Sequence, residues 1–332
     1  MKFGPVPLTE AEGAVLAHSV QTGEGRLRKG RTLTPEDVNA LAEAGHETVI
    51  VARLDRDDLG EDRAAERLAR AVLGQGQGLK LTRAFTGRVN LLAQGPGVAE
   101  LDVPALEAVN AVHPMITIAT VPPWQQMRDG GMVATIKIIS YAVPLADLDR
   151  ACAAVDAAGA IGLRQPVLKT ATLIITEIPG GVGDKGRTAI AGRLEALGVT
   201  FEAVRMVPHR RAPLATALAG CTSDLVLVLT GSATSDIDDV APAALRAAGG
   251  SVTRFGMPVD PGNLLFLGDL GGRPVIGLPG CARAPALNGA DWVLSRVICG
   301  VPVTSADIAG MGVGGLLKEI PTRPQPRRGR TT

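Results

Sequence analysis

Three short runs in the second half of the chain are apolar almost from end to end: TATLIIT (170–176), SDLVLVLT (223–230) and RPVIGLPG (273–280). A strand with one wet face alternates apolar and polar side chains. A continuous apolar run belongs to a strand buried on both faces, and that burial requires helices above and below the sheet. Helical stretches fall between and after the runs, at 188–197, 212–220, 240–248 and 284–299, and FEAVRMV (201–207) reads as another strand. The alternation predicts an α/β fold over 166–300: a three-layer, mostly parallel sheet. A turn at Pro261-Gly262 leads into one more apolar strand, Leu264 to Leu267, and Gly249-Gly250 stops the 240 helix.

The first half has a different texture. LTPEDVNALAEAG carries a helix start, with Thr34 as cap, Pro35 in the first turn and Gly45 as the stop, and ETVIVARL follows as a strand. GEDRAAERLARAVLG is an amphipathic helix with Leu68, Val72 and Leu73 on its apolar side. The flexible GQGQG (74–78) marks a boundary. Beyond it, VPALEAVNAV and PLADLDRACAAVDAAG read as helices, and MITIATV and MVATIKIISYAV as strands. The expected organisation is a unit at 1–74, a middle α+β domain at 79–165, the sheet domain at 166–300, and a partly disordered extension at 301–332. Aromatics are 2% of the chain, so the cores are built from Leu, Val, Ile and Ala.

A net charge of +1 gives no long-range field for nucleic acid or anionic lipid. Arg323, Arg327, Arg328 and Arg330 cluster among prolines and read as a solvated tail. The four cysteines, Cys152, Cys221, Cys281 and Cys299, form no CxxC pair, and the four histidines are too dispersed for a zinc site. With no long apolar stretch, the expectation is a cytoplasmic protein without disulfides or a membrane span.

Ligands of open α/β sheets sit beyond the carboxyl ends of the strands. That rule selects the loops 177–187, 207–212, 231–239 and 279–285. In the first, Gly180 and Gly181 free the backbone to cradle an oxyanion, and Lys185 adds charge. In the third, Gly231 lets a ligand approach, and Ser232, Thr234 and Ser235 can donate to phosphate or polar ring atoms. Asp236, Asp238 and Asp239 repel a bare anion but suit a divalent cation bridging a phosphate, and Asp239 is also placed to cap the next helix. In the last, Pro279 and Gly280 make a sharp turn before Arg283, the candidate phosphate or carboxylate contact.

TGSATSDIDDVAP (230–242) and GLPG (277–280) resemble the signatures of the molybdopterin-binding domain shared by the MoeA-type molybdenum insertases and the MogA/MoaB-type adenylyltransferases. EGAVLAHSV and LRKGRTLTPEDVNALAEAGHETVIVARL resemble the opening of the insertases. The resemblance implies that Gly180, Gly181, Lys185, Gly231, Ser232, Thr234, Ser235, Pro279, Gly280 and Arg283 hold molybdopterin or its adenylylated form. It also implies that Asp236 and Asp239 are the catalytic acids and the Mg²⁺ ligands. Two functions follow from it: insertion of molybdenum into the adenylylated pterin, or a non-catalytic carrier that delivers the pterin to a nucleotidyltransferase or a molybdenum enzyme. It further implies a homo-oligomer, a dimer first. Residues 79–165 resemble the insertase middle domain poorly, and nothing after 300 matches the family's β-barrel domain. Two local departures stand out. Asp260 and Asn263 occupy a turn where the family has lysines, and Pro208-His209-Arg210 replaces an acidic loop. His209, Arg210 and Arg211 are candidates to make up the lost positive charge.

Overall fold

The computed structural model describes residues 1–317; the arginine-rich tail, and with it the end of the expected extension, lies outside them. Two compact units emerge. The first comprises Met1–Gln94, Ala99–Pro123 and Asp129–Leu163. The second comprises Gly95–Val98, Trp124–Arg128 and the described residues from Arg164 onward.

Within the second unit the elements are numbered in chain order. The strands are β1 (Thr170–Glu177), β2 (Thr200–Pro208), β3 (Leu225–Leu229), β4 (Ser251–Phe255), β5 (Phe266–Leu270) and β6 (Arg273–Leu278). The helices are α1 (Arg187–Glu195), α2 (Arg211–Ala219), α3 (Val240–Ala247), α4 (Gly289–Ile298) and α5 (Ser305–Ala309). One six-stranded sheet runs in the order β2-β1-β3-β6-β5-β4. The first four strands of that order are parallel, and β5 and β4 are antiparallel additions.

Strand periodicity assigns each side chain to a layer. In β3, Leu225, Leu227 and Leu229 join a core with Ile190 and Leu194 of α1 and Val293, Leu294 and Ile298 of α4. Val226 and Val228 join the opposite core, with Leu214 and Leu218 of α2 and Ala244 and Leu245 of α3. All five residues of β3 are fully buried, as an apolar run with no alternation requires. The mixed α/β sheet domain expected from the sequence is therefore present. From β1 the chain moves outward to β2, then crosses back over β1 to β3. That reversal makes the carboxyl ends of β1 and β3 the topological switch point.

The first unit contains two larger sheets. Strands 2–7 and 15–16 flank 48–53, all antiparallel, over a core of Leu16, Leu33, Leu41 and Val51. Thr34 caps the helix Pro35–Glu43 in a reciprocal box with Asp37. The second sheet runs 116–120, 132–138, 88–93, 79–81, and the helix Glu61–Leu73 packs on its two central strands. This unit thus holds both the 1–74 segment and most of 79–165.

Three local expectations are corrected. MVATIKIISYAV is not one strand but two, 132–138 and 142–144, because Ser140 Oγ donates to Ala142 O in a turn. The strand expected at Leu264–Leu267 is displaced to 266–270, since the turn runs on until Leu265 N–H reaches Gly262 O. The last long helix starts at Gly289 rather than 284. Asn288 caps it reciprocally with Asp291, and the residues before it are drawn into a loop.

Candidate functional site

Because β1, β2, β3 and β6 are parallel, the loops after them emerge at one end of the sheet. Direct contacts tie all four together. Thr176, buried near the end of β1, is the hub: its Oγ1 accepts the N–H of Gly231 at 2.9 Å and lies 2.8 Å from His209 Nδ1. The backbone N–H of His209 donates to Glu177 O at 2.8 Å. Gly231 is held so close that a Cβ there would sit 2.6 Å from Thr176 O. Arg283, from the loop after β6, donates through Nη2 to Thr230 O at 2.8 Å. Gly186, the last residue before α1, has φ +106°, and a Cβ on it would meet Arg283 Cγ at 2.7 Å. Only glycine serves at both places.

A second arginine, not singled out in the sequence, fixes the loop that carries Arg283. Arg193 of α1 uses all five of its N–H donors. Nε donates to Asp291 of α4. Nη1 donates to Ala189 O and Ala282 O at 3.1 and 3.0 Å, and Nη2 to Ala284 O and Ala286 O at 2.9 and 3.0 Å. Along the outer side of α1 runs a cleft of about 500 Å³, lined by Gly186, Thr188, Gly192, Arg193 and Arg283, with Gln126 from the 124–128 segment. Its size suits a small-molecule site.

Arg283 is the electrostatic centre. Burial pushes its guanidinium pKa down, and its Nε is buried without a hydrogen-bond partner. A buried charged donor left unpaired costs roughly 1–3 kcal/mol or more. Lys185, Arg210 and Arg211 are exposed at the same end of the sheet. Thr234 is buried with its hydroxyl 3.4 Å from that of Thr230, while Ser232 and Ser235 are exposed. Pro279 and Gly280 open the turn that brings Arg283 round, with Ala282 N–H donating to Pro279 O. Gly180 and Gly181 lie exposed in the loop after β1. The turn bearing Asp260 and Asn263 packs on the start of α4, where Gly289 N–H donates to Pro261 O at 2.8 Å.

The three aspartates are occupied in building their own loop. Both oxygens of Asp239 accept backbone N–H groups, from Ser235 at 2.9 Å and Val240 at 2.6 Å, which makes it the N-cap of α3. Asp236 accepts from Asp238 N–H at 2.8 Å, and Asp238 pairs with Arg246 at 2.5 Å. Among the described residues no group of three or more His, Cys, Asp or Glu is arranged to hold a metal ion. Asp236 and Asp239, with oxygens engaged by backbone N–H groups, form at most a partial Mg²⁺ donor set, one that phosphate and water oxygens would have to complete. No described helix is long and apolar enough to cross a membrane.

Comparison with known proteins gives two family matches. Residues 167–297 match the family described as a probable molybdopterin binding domain, and residues 5–53 match a domain of unknown function. The likeness to a probable molybdopterin binding domain is thus confined to residues 167–297, in the second unit. No curated protein matches it. Among solved structures, the MoeA molybdopterin biosynthesis protein of Pyrococcus horikosii is 12% identical, over 94% of this chain and 76% of that one, with a TM-score of 0.29. The molybdopterin biosynthesis enzyme MoaB of Thermus thermophilus is 18% identical, over 41% and 92%, also at 0.29. The CinA protein of Thermoplasma acidophilum is 18% identical, over 35% and 90%, at 0.27.

Proposed function

We propose that this chain works in molybdenum cofactor synthesis by holding a phosphorylated molybdopterin-type pterin at the carboxyl end of the sheet. The observation that carries the reading is the joining of four strand-end loops around Thr176, Gly231 and Arg283, with one buried guanidinium nitrogen left without an acceptor. Arg283 supplies charge to the phosphate, Gly231 and Gly186 let the ligand come close to the backbone, and the cleft along α1 gives it room. The carrier reading is favoured over insertion because Asp239 spends both oxygens on the cap of α3. The insertion reading draws its support from Asp236 and Asp239 standing on the same strand-end loop as Gly231. No step is assigned to Mg²⁺.

Calorimetry with molybdopterin is expected to show binding that weakens about tenfold to a hundredfold in Arg283→Ala, the worth of a charge-assisted hydrogen bond. Equal affinity in the variant overturns the reading. With adenylylated molybdopterin, molybdate and Mg²⁺, the carrier releases no AMP. AMP release that disappears in Asp239→Asn establishes insertion instead.

A further inference from the structure

A second cleft, of about 630 Å³, lies wholly within the first unit, between the helix Glu61–Leu73 and the strands 79–81 and 88–93. The helix lines it with Asp62, Arg63, Glu66 and Arg70, and the chain between the two strands with Thr82 and Arg83. Positions 63, 66 and 70 are three and four apart, so those side chains rise from one helical face.

The carboxylates in this cleft already have internal partners. Glu66 receives Arg70 Nη2 at 2.6 Å, and Asp62 Oδ1 accepts the N–H of Gly87 at 2.6 Å. The remaining arginine of the helix, Arg67, is paired away from the cleft with Asp149. Over the whole lining, Arg63, Arg70 and Arg83 outnumber Asp62 and Glu66, which leaves a net charge of +1. Among the described residues, Arg63 and Arg83 have no ion pair and no side-chain hydrogen bond. They come from different elements, yet both face the same hollow.

The walls are fixed before any ligand arrives. A Cβ on Gly87 would sit 2.7 Å from both Ile138 O and Glu61 Oε2, so the hairpin end is pressed against its neighbours. Thr82 Oγ1 accepts Asn90 N–H at 2.9 Å, which leaves its hydroxyl hydrogen to donate elsewhere. Lys137 Nζ holds the turn by donating to Thr86 O.

We propose that this cleft binds a phosphate-bearing small molecule, with Arg63 and Arg83 supplying the positive charge from its two walls and Thr82 a neutral donor. Guanidinium groups match phosphate oxygens through paired N–H donors. The hollow has room for a nucleotide-sized body as well as its phosphate. This site lies in a different unit from the pterin site and does not depend on it.

The test is calorimetry on the full chain with pyrophosphate, AMP and adenosine as probes. Pyrophosphate and AMP are expected to bind, adenosine not, and the affinity to fall as salt rises. In an Arg283→Ala background, which removes the phosphate contact of the strand-end site, Arg63→Gln/Arg83→Gln is expected to weaken both by about tenfold or more. Both substituted side chains are exposed, so the variant keeps its fold, which a melting curve checks. Three outcomes overturn the proposal: no saturation below about 10 mM, adenosine binding as well as AMP, or a loss that follows Arg283→Ala and not the double variant.

Discussion

A guanidinium with every donor used leaves nothing for a ligand and everything for architecture. Arg193 is of that kind, and Arg283 on the loop it holds is the opposite, with Nε unpaired. Arg193→Leu abandons the half-buried Asp291 carboxylate and four carbonyls at once. The expected loss is about 2–4 kcal/mol, seen as a lower urea midpoint at unchanged slope. Lysine at this position does not restore the loss, because three donors on a point charge cannot meet five acceptors. Gly231 is as demanding in another way. Gly231→Ala drives a methyl into Thr176 O, and a cost of about 1–3 kcal/mol is expected, together with weaker pterin binding in the same preparation. Strand-end position and the family resemblance together point to Gly231 and Arg283 in the sequence. It concealed Arg193 and Thr176, which look like an ordinary helix-surface cation and the end of an apolar strand until the loops meet them.

At the scale of elements, capping and strand-start contacts set the boundaries that the sequence left blurred. Asn288 was hidden inside an apparently continuous helical pattern, and only its pairing with Asp291 separates loop from helix. Asp224 does similar work at the opposite end of the sheet from the site. Its carboxylate accepts the N–H groups of Lys169 and Thr170 at 2.7 and 3.0 Å as the chain enters β1. Those backbone hydrogen bonds lower its pKa below the ordinary aspartate value of 3.8. A folded-state pKa below the unfolded one means stability that is complete above 3.8 and is lost as pH falls through the lowered value. Asp224→Asn is therefore expected to lower stability at neutral pH and to flatten its acid decline, measured by urea melts between about pH 6 and pH 3.

Taken as a whole molecule, the chain does not divide where its composition changes. GQGQG looks like a linker, but in the structure its glycines make close contacts inside the first unit: a Cβ on Gly76 would lie 2.7 Å from Ile161 O. The apolar strands made the second unit's sheet readable because burial on both faces leaves a continuous run. Two pieces of the same unit were invisible, Gly95–Val98 and Trp124–Arg128, since four or five residues carry no periodicity. Val98 is nonetheless fully buried in the core that contains Leu173, Leu227 and Val293. Val98→Ala is expected to cost about 1–3 kcal/mol, read as a lower denaturation midpoint of the full chain. Trp124 packs against the same core and lies under Arg296, 5.7 Å from guanidinium carbon to ring centre.

Such interleaving limits how this protein can be taken apart by evolution or by an engineer. A gene fusion that transplants only the stretch from 164 onward carries the sheet, its helices and the four strand-end loops, yet leaves behind Val98, Trp124 and Gln126. The graft would arrive with an unfilled core and one side of its cleft missing. Inheritance of the sheet domain is therefore tied to the middle of the chain.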